Sequence, residues 1–331
     1  MPNMIPLIQP VALSPVLNWM GKNGIAHDRY ILKAGLSLHL LDEPTRPIPL
    51  LAAVRILMDL TREYGPNVGT LSVSEHSVAS LGLLGRATLD SETPRQALLR
   101  MAQAYAVHSS HEIFHMQPHQ AGATIYHRFM APMDDESLHT CQQYVLAMVR
   151  SIVLGDRQIE RPLSAISMVP HRAHGFAHFQ EIHGVGIKSA RDRVLRIEIP
   201  ASVLDKPYDW RWKLQKNKTG KHTPINGDGT LTSSLRATLP TMLHDGTPTV
   251  AELAELAGTS PRTLQRRLAA EGVTLSSLID QTRRDTALQK LTKGEESIGA
   301  ISADLGFSAQ SSLSRAMRRW TSDTPSGVRR S

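Results

Sequence analysis

Two stretches near the end of the chain decide its fold: TVAELAELAGTSPRTLQRRLAAEGVTLSSLIDQTRRDTALQKL (Thr249–Leu291) and SIGAISADLGFSAQSSLSRAMRRWTSDTPSGVRR (Ser297–Arg330). They contain the same short pattern twice, because Leu253–Leu268 is repeated as Ile301–Met317 with one extra residue after the turn. Each copy predicts a helix with a small residue inside it, a turn glycine and a second helix. This order is typical of a helix-turn-helix unit, in which glycine tolerates the left-handed backbone of the tight turn.

The second helix of each copy has one apolar and one polar face. Leu264 with Leu268, and Leu313 with Met317, are four residues apart and would hold each helix against its domain. The outward side chains are polar or basic, types that suit base edges, since arginine bonds guanine, glutamine bonds adenine and serine or threonine bonds either. The predicted base-reading residues are Arg262, Thr263, Gln265, Arg266, Gln310, Ser311, Ser312, Ser314 and Arg315. The predicted phosphate contacts are Ser260, Arg267, Arg318 and Arg319.

The region after residue 231 predicts an all-α domain of short helices punctuated by glycines. Helices are expected at 233–243, 250–257, 261–270, 275–293, 298–305, 309–320 and near 325–330. The long helix at 275–293 would hold the two units rigidly, so that their second helices enter successive major-groove segments about 34 Å apart. A helical repeat with solvated polar faces is the alternative.

Charge distribution favours an anionic partner for the same region. The chain of 331 residues has a net charge of +7, and residues 1–205 contain equal numbers of basic and acidic side chains. All the excess positive charge therefore follows residue 205, although a solvated basic face with no partner would look the same.

Length and composition predict two domains. Apolar residues make up 41% of the chain, enough for a globular core. Residues 206–231 are rich in lysine, glycine and asparagine and predict a linker. The predicted organisation is thus an N-terminal domain at 1–205, this linker, and a C-terminal domain at 232–331 with helix-turn-helix units at about 250–270 and 298–320.

The N-terminal domain is predicted to be α+β. Helices are expected at 49–65, after Thr93–Pro94, and at 134–154, with a hairpin at 112–130 and strands near 163–169 and 194–199. Helices followed by mostly antiparallel strands around one more helix indicate an α+β domain.

Several classes of protein are disfavoured. Cys141 is the only cysteine, which excludes a disulfide framework and any zinc site with two thiolates. The opening residues are interrupted by prolines and lack the basic start of a signal peptide, so we expect a soluble, cytoplasmic protein without a membrane segment. Neither the carboxylates nor the histidines occur at a spacing typical of a catalytic site, and Cys141 is not predicted to be catalytic. No cofactor is expected.

Histidines form two groups, at positions 108–127 and 171–183. We interpret them as ordinary surface and core residues, and predict no metal site. A metal or haem site, and a histidine in a polar effector pocket, are the alternatives.

The C-terminal 100 residues closely resemble the DNA-binding domain of the AraC/XylS transcription regulators. The resemblance rests on Ser260 with Leu264–Arg266, on the Arg283–Ala287–Leu291 spacing, on Ile298 with Leu305–Phe307, and on Thr324–Pro325 with Arg329. It implies that the helices after Gly258 and Gly306 are the recognition helices. Leu313 and Met317 depart from the family's usual phenylalanines, and Ser322 stands where glycine is common.

The N-terminal half resembles, more weakly, the effector domain of the subgroup that includes ornithine-utilisation regulators. The similar segments are 48–65, SLGLLGRATLDSETPRQALLRMAQAY (Ser80–Tyr105) and LRIEIPASVLDKPY (Leu195–Tyr208). The resemblance implies a regulator that binds double-stranded promoter or operator DNA, responds to a small-molecule effector and forms a homodimer. RNA polymerase would be a further partner if the protein activates transcription. The effector and its contact residues are not predicted.

Two other functions remain as alternatives. One is an enzyme with its catalytic centre in residues 1–205 and a DNA-targeting module after it. The other is an architectural DNA-binding protein that responds to no effector.

Overall fold

The structure is a computed structural model that describes residues 4–42, 44–155, 157–178, 185–207, 225, 228–243 and 246–330. Most of the predicted linker at 206–231 lies outside the described residues, as does His183 of the second histidine group. The predicted fold class is confirmed: a mixed α+β N-terminal domain is followed by an all-helical C-terminal region. Of the helices in the described part of the chain, none is long and apolar enough to cross a membrane.

A five-stranded sheet forms the centre of the N-terminal domain, in the order β3-β4-β7-β5-β6. Its strands are antiparallel to their neighbours except for the parallel pair β5 and β6. The strands are β3 Glu112–His119, β4 Gly122–Phe129, β5 Ala165–Met168, β6 Ile187–Ser189 and β7 Leu195–Pro200. A separate antiparallel pair joins β1 Leu7–Ile8 to β2 Ile48–Pro49.

The helices of this domain include the three that the sequence predicts. These three are α3, α6 and α7. The α-helices among the described residues of this domain are α1 Ser14–Lys22, α2 Asp28–Lys33, α3 Leu50–Tyr64, α4 Val68–Leu71, α5 Gly82–Leu89, α6 Pro94–His108, α7 Asp135–Leu154 and α8 Ala201–Leu204. The predicted cap of α6 is present, because the Thr93 side chain accepts a hydrogen bond from the Gln96 amide. Helix α1 was not predicted among the opening prolines. Pro15 is compatible with this helix because it lies in the first turn, where a missing N–H is tolerated.

The C-terminal region contains the seven predicted helices, each within two residues of its expected ends. They are α9 Leu231–Leu243, α10 Val250–Leu256, α11 Pro261–Ala270, α12 Leu275–Lys293, α13 Ile298–Asp304, α14 Gln310–Thr321 and α15 Pro325–Arg330. Polar side chains cap most of their first turns. Thr249, for example, accepts a hydrogen bond from the Glu252 amide while the Glu252 carboxylate accepts one from the Thr249 amide.

Buried apolar residues form three clusters, and one of them crosses the domain boundary. We call this cluster the shared core; it joins Ile5, Leu7, Leu13, Ile48 and Ile56 to Leu231, Leu235, Leu253, Leu264 and Leu268 among others. A second cluster, the sheet core, lies between the five-stranded sheet, α6 and α7. The third, the distal core, consists of Ala287, Leu291, Ile301, Leu305, Leu313 and Met317. The first helix-turn-helix unit therefore packs with the N-terminal domain, whereas the second has a core of its own.

Candidate nucleic-acid interface

The two turns of the repeat have the same backbone geometry. Gly258 has φ +62° and Gly306 has φ +68°, in the left-handed region that favours glycine. In the first unit the Thr259 amide donates to the Ala254 carbonyl at 2.9 Å, and in the second the Phe307 amide donates to the Ser302 carbonyl at 3.1 Å. The sequence repeat is thus a structural repeat, with α10–α11 as the first unit and α13–α14 as the second.

Small and apolar residues seat the second helix of each unit. Ala254 and Ser302, the small residues inside the first helices, are both buried where the helices cross. The predicted anchors Leu264, Leu268, Leu313 and Met317 are all buried. The anchoring prediction is confirmed, and it fixes which faces of α11 and α14 point away from the protein.

The outward face of α11 carries unpaired donors. Arg262, Gln265 and Arg266 are exposed, and within the described part of the chain no side-chain hydrogen bond or ion pair holds any of them. The Thr263 hydroxyl lies 2.9 Å from the Ser260 hydroxyl, which also accepts the Thr263 amide at 3.2 Å. Ser260 therefore caps α11, and the three long side chains are the groups that can reach a partner.

The outward face of α14 is more constrained. Gln310, Ser311 and Arg315 are exposed, while Ser312 and Ser314 are half-buried. The Arg315 guanidinium donates to the Ser312 hydroxyl at 3.0 Å, and the Ser314 hydroxyl donates to the Gln310 carbonyl at 3.2 Å. The nine predicted base-reading side chains therefore lie on the two outward faces. Among them, Ser314 is half-buried and its hydroxyl already donates to a backbone carbonyl of its own helix.

The predicted phosphate contacts differ in what they already bind. Arg318 is exposed, and Arg267 is half-buried. Arg319 forms an ion pair with Asp280 of α12, whose second oxygen accepts the Trp320 indole N–H at 2.9 Å. Arg318 is thus more available to a phosphate than Arg319, which links α14 to α12.

Arg283 of α12 connects the second unit to the segment before the first unit. The sequence identifies this residue only through the Arg283–Ala287–Leu291 spacing and predicts no contact for it. Its Nε donates to the Leu305 carbonyl at 2.8 Å in the second unit, and its terminal nitrogen donates to the Thr247 hydroxyl at 2.6 Å before the first. Its guanidinium also lies 4.8 Å from the ring centre of Phe307. One planar cation therefore links the second unit to the segment that precedes the first.

Lys290 makes a second connection from the same helix. Its ammonium lies 2.5 Å from Asp304 and 3.0 Å from Glu296. Burial would lower the pKa of Lys290, but the hydrogen bonds to Asp304 and Glu296 raise it above its ordinary value. The lysine stays charged and holds α13 against α12.

The first unit also contacts the N-terminal domain directly. Arg55 of α3 lies 2.7 Å from Glu255 of α10. A Cβ atom on Gly258 would lie 2.3 Å from Pro132 and 3.4 Å from Leu51, so this turn is packed against the loop before α7 and against α3. The outward face of α11 remains exposed beside this contact.

The N-terminal domain contains an open cleft of about 590 Å³ between α1, α2, the residues that follow α2 and the segment 74–77. Leucine and isoleucine side chains form much of its wall, and Asn18, Lys22, His27 and Ser77 supply polar groups. Leu38 and Leu41, which also line it, are unusually exposed for leucines. A cleft of this size and mixed lining can hold a small organic molecule.

The first histidine group divides into buried and exposed members. His127 is buried and lies 2.9 Å from the buried carboxylate of Glu112, which also accepts a hydrogen bond from the Tyr105 hydroxyl at 3.1 Å. Burial would raise the pKa of Glu112, but the hydrogen bond and charge of His127 keep it below its ordinary value. His115 and His119 are exposed on β3. The buried pair was not predicted, because only the hairpin register brings these two positions together.

Family models match most of the chain. The model described as the arabinose-binding domain of AraC transcription regulators, N-terminal, matches residues 24–208, and a helix-turn-helix domain model matches residues 253–331. Together they cover both halves of the molecule and both units of the repeat.

Curated relatives match over shorter segments. The chain is 37% identical over 101 residues to the HTH-type transcriptional regulator VirS of Mycobacterium tuberculosis, covering 30% of each chain. It is 37% identical over 82 residues to the ornithine utilization regulator of Pseudomonas aeruginosa, covering 25% of this chain and 24% of that protein. The matched segments thus span less than a third of these relatives. The crystal structure of transcriptional regulator CdpR from P. aeruginosa aligns with 97% of this chain and 98% of its own at 16% identity and a TM-score of 0.37.

Proposed function

Because this chain belongs to the AraC family of transcription regulators, we propose that it binds specific DNA sequences and that a small-molecule effector controls this binding. It is a transcription regulator and not an enzyme. The cytoplasm is the compartment in which it would act, as a homodimer on promoter or operator DNA, with RNA polymerase as a partner if it activates.

The observation that carries the proposal is the repeated outward face. The second helix of each unit presents exposed, hydrogen-bonding side chains, and apolar anchors fix which way these faces point. We assign base reading to the outward set on α11 and α14 defined above, with Arg262, Gln265 and Arg266 as its strongest members. Ser260, Arg267, Arg318 and Arg319 are assigned to phosphates, and the pairing of Arg319 with Asp280 makes Arg318 the stronger of those two.

We assign the effector to the N-terminal domain, within the predicted boundary at residue 205. The cleft lined by Leu17, Ile31 and Lys22 is the candidate site, and an effector that favours one domain arrangement would change DNA affinity. Arg55 and Pro132 contact the first unit and would couple the effector site to it. A shift of α3 or of the loop before α7 on effector binding would move the Gly258 turn.

Selection of bound sequences from a random DNA pool by the full-length protein, at one near-physiological salt concentration, tests DNA specificity. We expect two short half-elements about one helical turn apart, since two recognition helices would enter successive major-groove segments. Recovery of no motif from the pool, with and without cell extract as an effector source, would contradict sequence-specific binding.

The effector site is tested separately with Gly21, which lies in α1 and lines the cleft. A side chain can start there without contact, because nothing lies within 4 Å of its Cβ position. Gly21→Phe should fill the cleft and abolish the effect of an activating extract on DNA affinity, while Gly21→Ala, which adds one methyl group, should retain it. An unchanged response in Gly21→Phe would place the effector elsewhere.

A further inference from the structure

The cleft of the N-terminal domain combines apolar walls with basic and hydroxyl groups. Its apolar side chains come from α1, α2 and the segment after α2, and include Leu17, Ile31 and Leu38. Leu38 is 43% exposed, so part of this wall is open to solvent. Of the described residues that line the cleft, none is an aspartate or a glutamate. An occupant would therefore meet hydrocarbon on the walls and no carboxylate.

Lys22, the last residue of α1, supplies a positive charge to this cleft. It is exposed, and in the described part of the chain no hydrogen bond or ion pair holds its ammonium. Lys22 also lines the same cleft as the apolar wall, where a bound ligand would exclude water. An anionic group on that ligand would be attracted to the ammonium, and more strongly as water leaves.

The two histidines of the cleft already have acidic neighbours. His27 Nδ1 lies 2.8 Å from Asp28 Oδ1, and His76 Nε2 lies 3.4 Å from Glu75 Oε1. Asp28 and Glu75 are outside the lining, but each compensates its histidine when that ring is protonated. Among the described residues Lys22 has no such acidic partner. The uncompensated charge of the cleft is therefore that of Lys22.

Ser74 and Ser77 offer a hydroxyl donor to the same cleft. Ser77 begins a short 3-10 helix, Ser77–Ser80, and is only 3% exposed. Its hydroxyl oxygen accepts the Ser74 amide at 2.8 Å and lies 3.3 Å from the Ser74 hydroxyl oxygen. The two hydroxyls have two hydrogens, and the contact between them uses one. Neither hydroxyl donates to any other described residue, so one O–H is left for an acceptor in the cleft.

We propose that the effector bound in this cleft is a carboxylate attached to an apolar chain or ring. The carboxylate pairs with the Lys22 ammonium, and the hydroxyl of the Ser74–Ser77 pair donates to one of its oxygens, which can only accept. The apolar part covers the leucine and isoleucine wall and removes it from water. This inference rests on the proposed function, because it names the chemical class of the effector assigned to that cleft.

The lining disfavours the other classes of small molecule. An amine would face Lys22 without any carboxylate in the described lining to compensate it. A sugar would place hydroxyl groups against the leucine and isoleucine wall, where each buried polar group without a hydrogen bond costs free energy. The volume of about 590 Å³ is sufficient for a small amphiphilic acid.

Thermal unfolding of the full-length protein with three matched probes tests the charge class. The probes are octanoate, octanol and octylamine, which share one chain and differ in the charge at its end. A ligand that binds the folded chain raises its melting temperature. At equal concentrations we expect octanoate to raise it, octanol to raise it much less and octylamine to leave it unchanged. Phenylbutanoate, a carboxylate on a ring, should act as octanoate does.

Variants of two lysines connect this preference to the cleft. Lys22→Gln should weaken octanoate binding, measured by calorimetric titration, by about tenfold, the scale of a hydrogen bond between charged groups. Lys33→Gln is the matched control, since Lys33 ends α2 as Lys22 ends α1 but does not line the cleft. It should bind octanoate as the unchanged chain does. Gly21→Phe should abolish binding of octanoate and octanol alike.

Three results would overturn the proposed class of effector. They are equal stabilisation by octylamine and octanoate, no stabilisation by either carboxylate, and equal octanoate binding by Lys22→Gln and Lys33→Gln. None of these measurements involves DNA. Their failure is therefore separate from failure of the proposed function, which the selection of DNA sequences and the response of Gly21→Phe to an activating extract decide.

Discussion

At the scale of single residues, the outward faces of α11 and α14 combine long unpaired side chains with short ones that are already bonded. Arg266 makes no contact that would have to be broken, while Arg315 holds the Ser312 hydroxyl. Both arginines are on helices whose apolar anchors are buried. Removing either side chain should therefore alter recognition without altering the fold.

Arg266→Ala and Arg315→Ala should each weaken binding to the selected operator by about 1–3 kcal/mol, because each removes a side chain that we propose reads a base. Affinity for random DNA of the same length should change much less. Fluorescence anisotropy with both DNAs at one salt concentration measures the two losses. Equal losses on both DNAs would reassign these arginines to phosphates.

Ser322 ends α14 in an unusual conformation for its residue type. Its φ of +62° lies in the left-handed region, where a side chain is strained and the family commonly has glycine. Ser322→Gly should relieve this strain and stabilise the protein by about 0.5–1 kcal/mol. Urea unfolding measures the change, and Ser326→Gly, on an exposed position of α15, is the control that should not stabilise. A loss of stability in Ser322→Gly would show that the serine is not strained.

At the scale of elements, α12 connects the two helix-turn-helix units and sets the distance between their second helices, α11 and α14. It begins in the shared core, through Leu278 and Ile279, and ends in the distal core, through Ala287 and Leu291. Arg283 lies between these two groups and donates to Leu305 of the second unit and to Thr247, which precedes the first unit. We therefore expect the distance between the two units to depend on α12 and on the hydrogen bonds of the Arg283 guanidinium.

Arg283→Lys should loosen this spacing, since an ammonium cannot reproduce the planar pair of contacts with Leu305 and Thr247. We expect the variant to tolerate operators whose half-elements are moved one base pair closer or further apart, while the unchanged chain loses affinity for them. Competition binding against such spacing variants is the measurement. Arg284→Lys, an exposed neighbour on the same helix, is the control. If Arg283→Lys loses as much affinity for the operators with altered spacing as Arg284→Lys does, Arg283 does not determine the distance between the two units.

At the scale of the whole molecule, the first unit is part of the same packed body as the N-terminal domain. The shared core crosses the boundary, and Arg55 and Glu255 pair at its edge. The second unit has its own core and connects to this body through α12, while its Gly306 turn lies beside the Leu243 carbonyl at the end of α9. An effector in the N-terminal domain would therefore act first on α10 and α11.

The Arg55–Glu255 pair tests this route. Arg55→Glu would place two carboxylates in contact and should reduce the effect of the effector on DNA affinity. Arg55→Glu combined with Glu255→Arg should restore it, since the pair is re-formed with its charges exchanged. DNA affinity with and without an activating extract is the measurement. Equal responses in the single variant and the unchanged chain would exclude the pair from the route.

Stability should fall in weak acid because of His108. This residue is buried, and burial lowers its pKa from 6.5 to about 4. The unfolded chain therefore takes up a proton first as the pH falls, so stability is lost between about pH 6.5 and pH 4, by roughly 2–3 kcal/mol for this group. His108→Gln should reduce the decline measured by urea unfolding between pH 7 and 4.5, and the exposed control His119→Gln should not. A parallel decline in both variants would contradict the assignment.

Much of the fold was predictable from the sequence because its signals are local. Helix ends depend on caps and glycines within a few residues, and the anchors of α11 and α14 lie four apart, so each helix of the C-terminal region could be read directly. The hairpin of β3 and β4 was readable for the same reason. The parallel pair β5 and β6 was not, because its partners are joined through a segment without a local pattern.

The sequence by itself therefore determined the repeat, the polarity of the outward faces and the fold class, since periodicity and turn chemistry carry all three. Only the tertiary structure decided which residues from distant segments meet: Arg283 with the two units, Arg55 with Glu255, Glu112 with His127, and His139 with His178. Such contacts depend on how elements pack against one another. Packing follows from the burial of apolar surface over the whole molecule, and no local stretch of sequence records it.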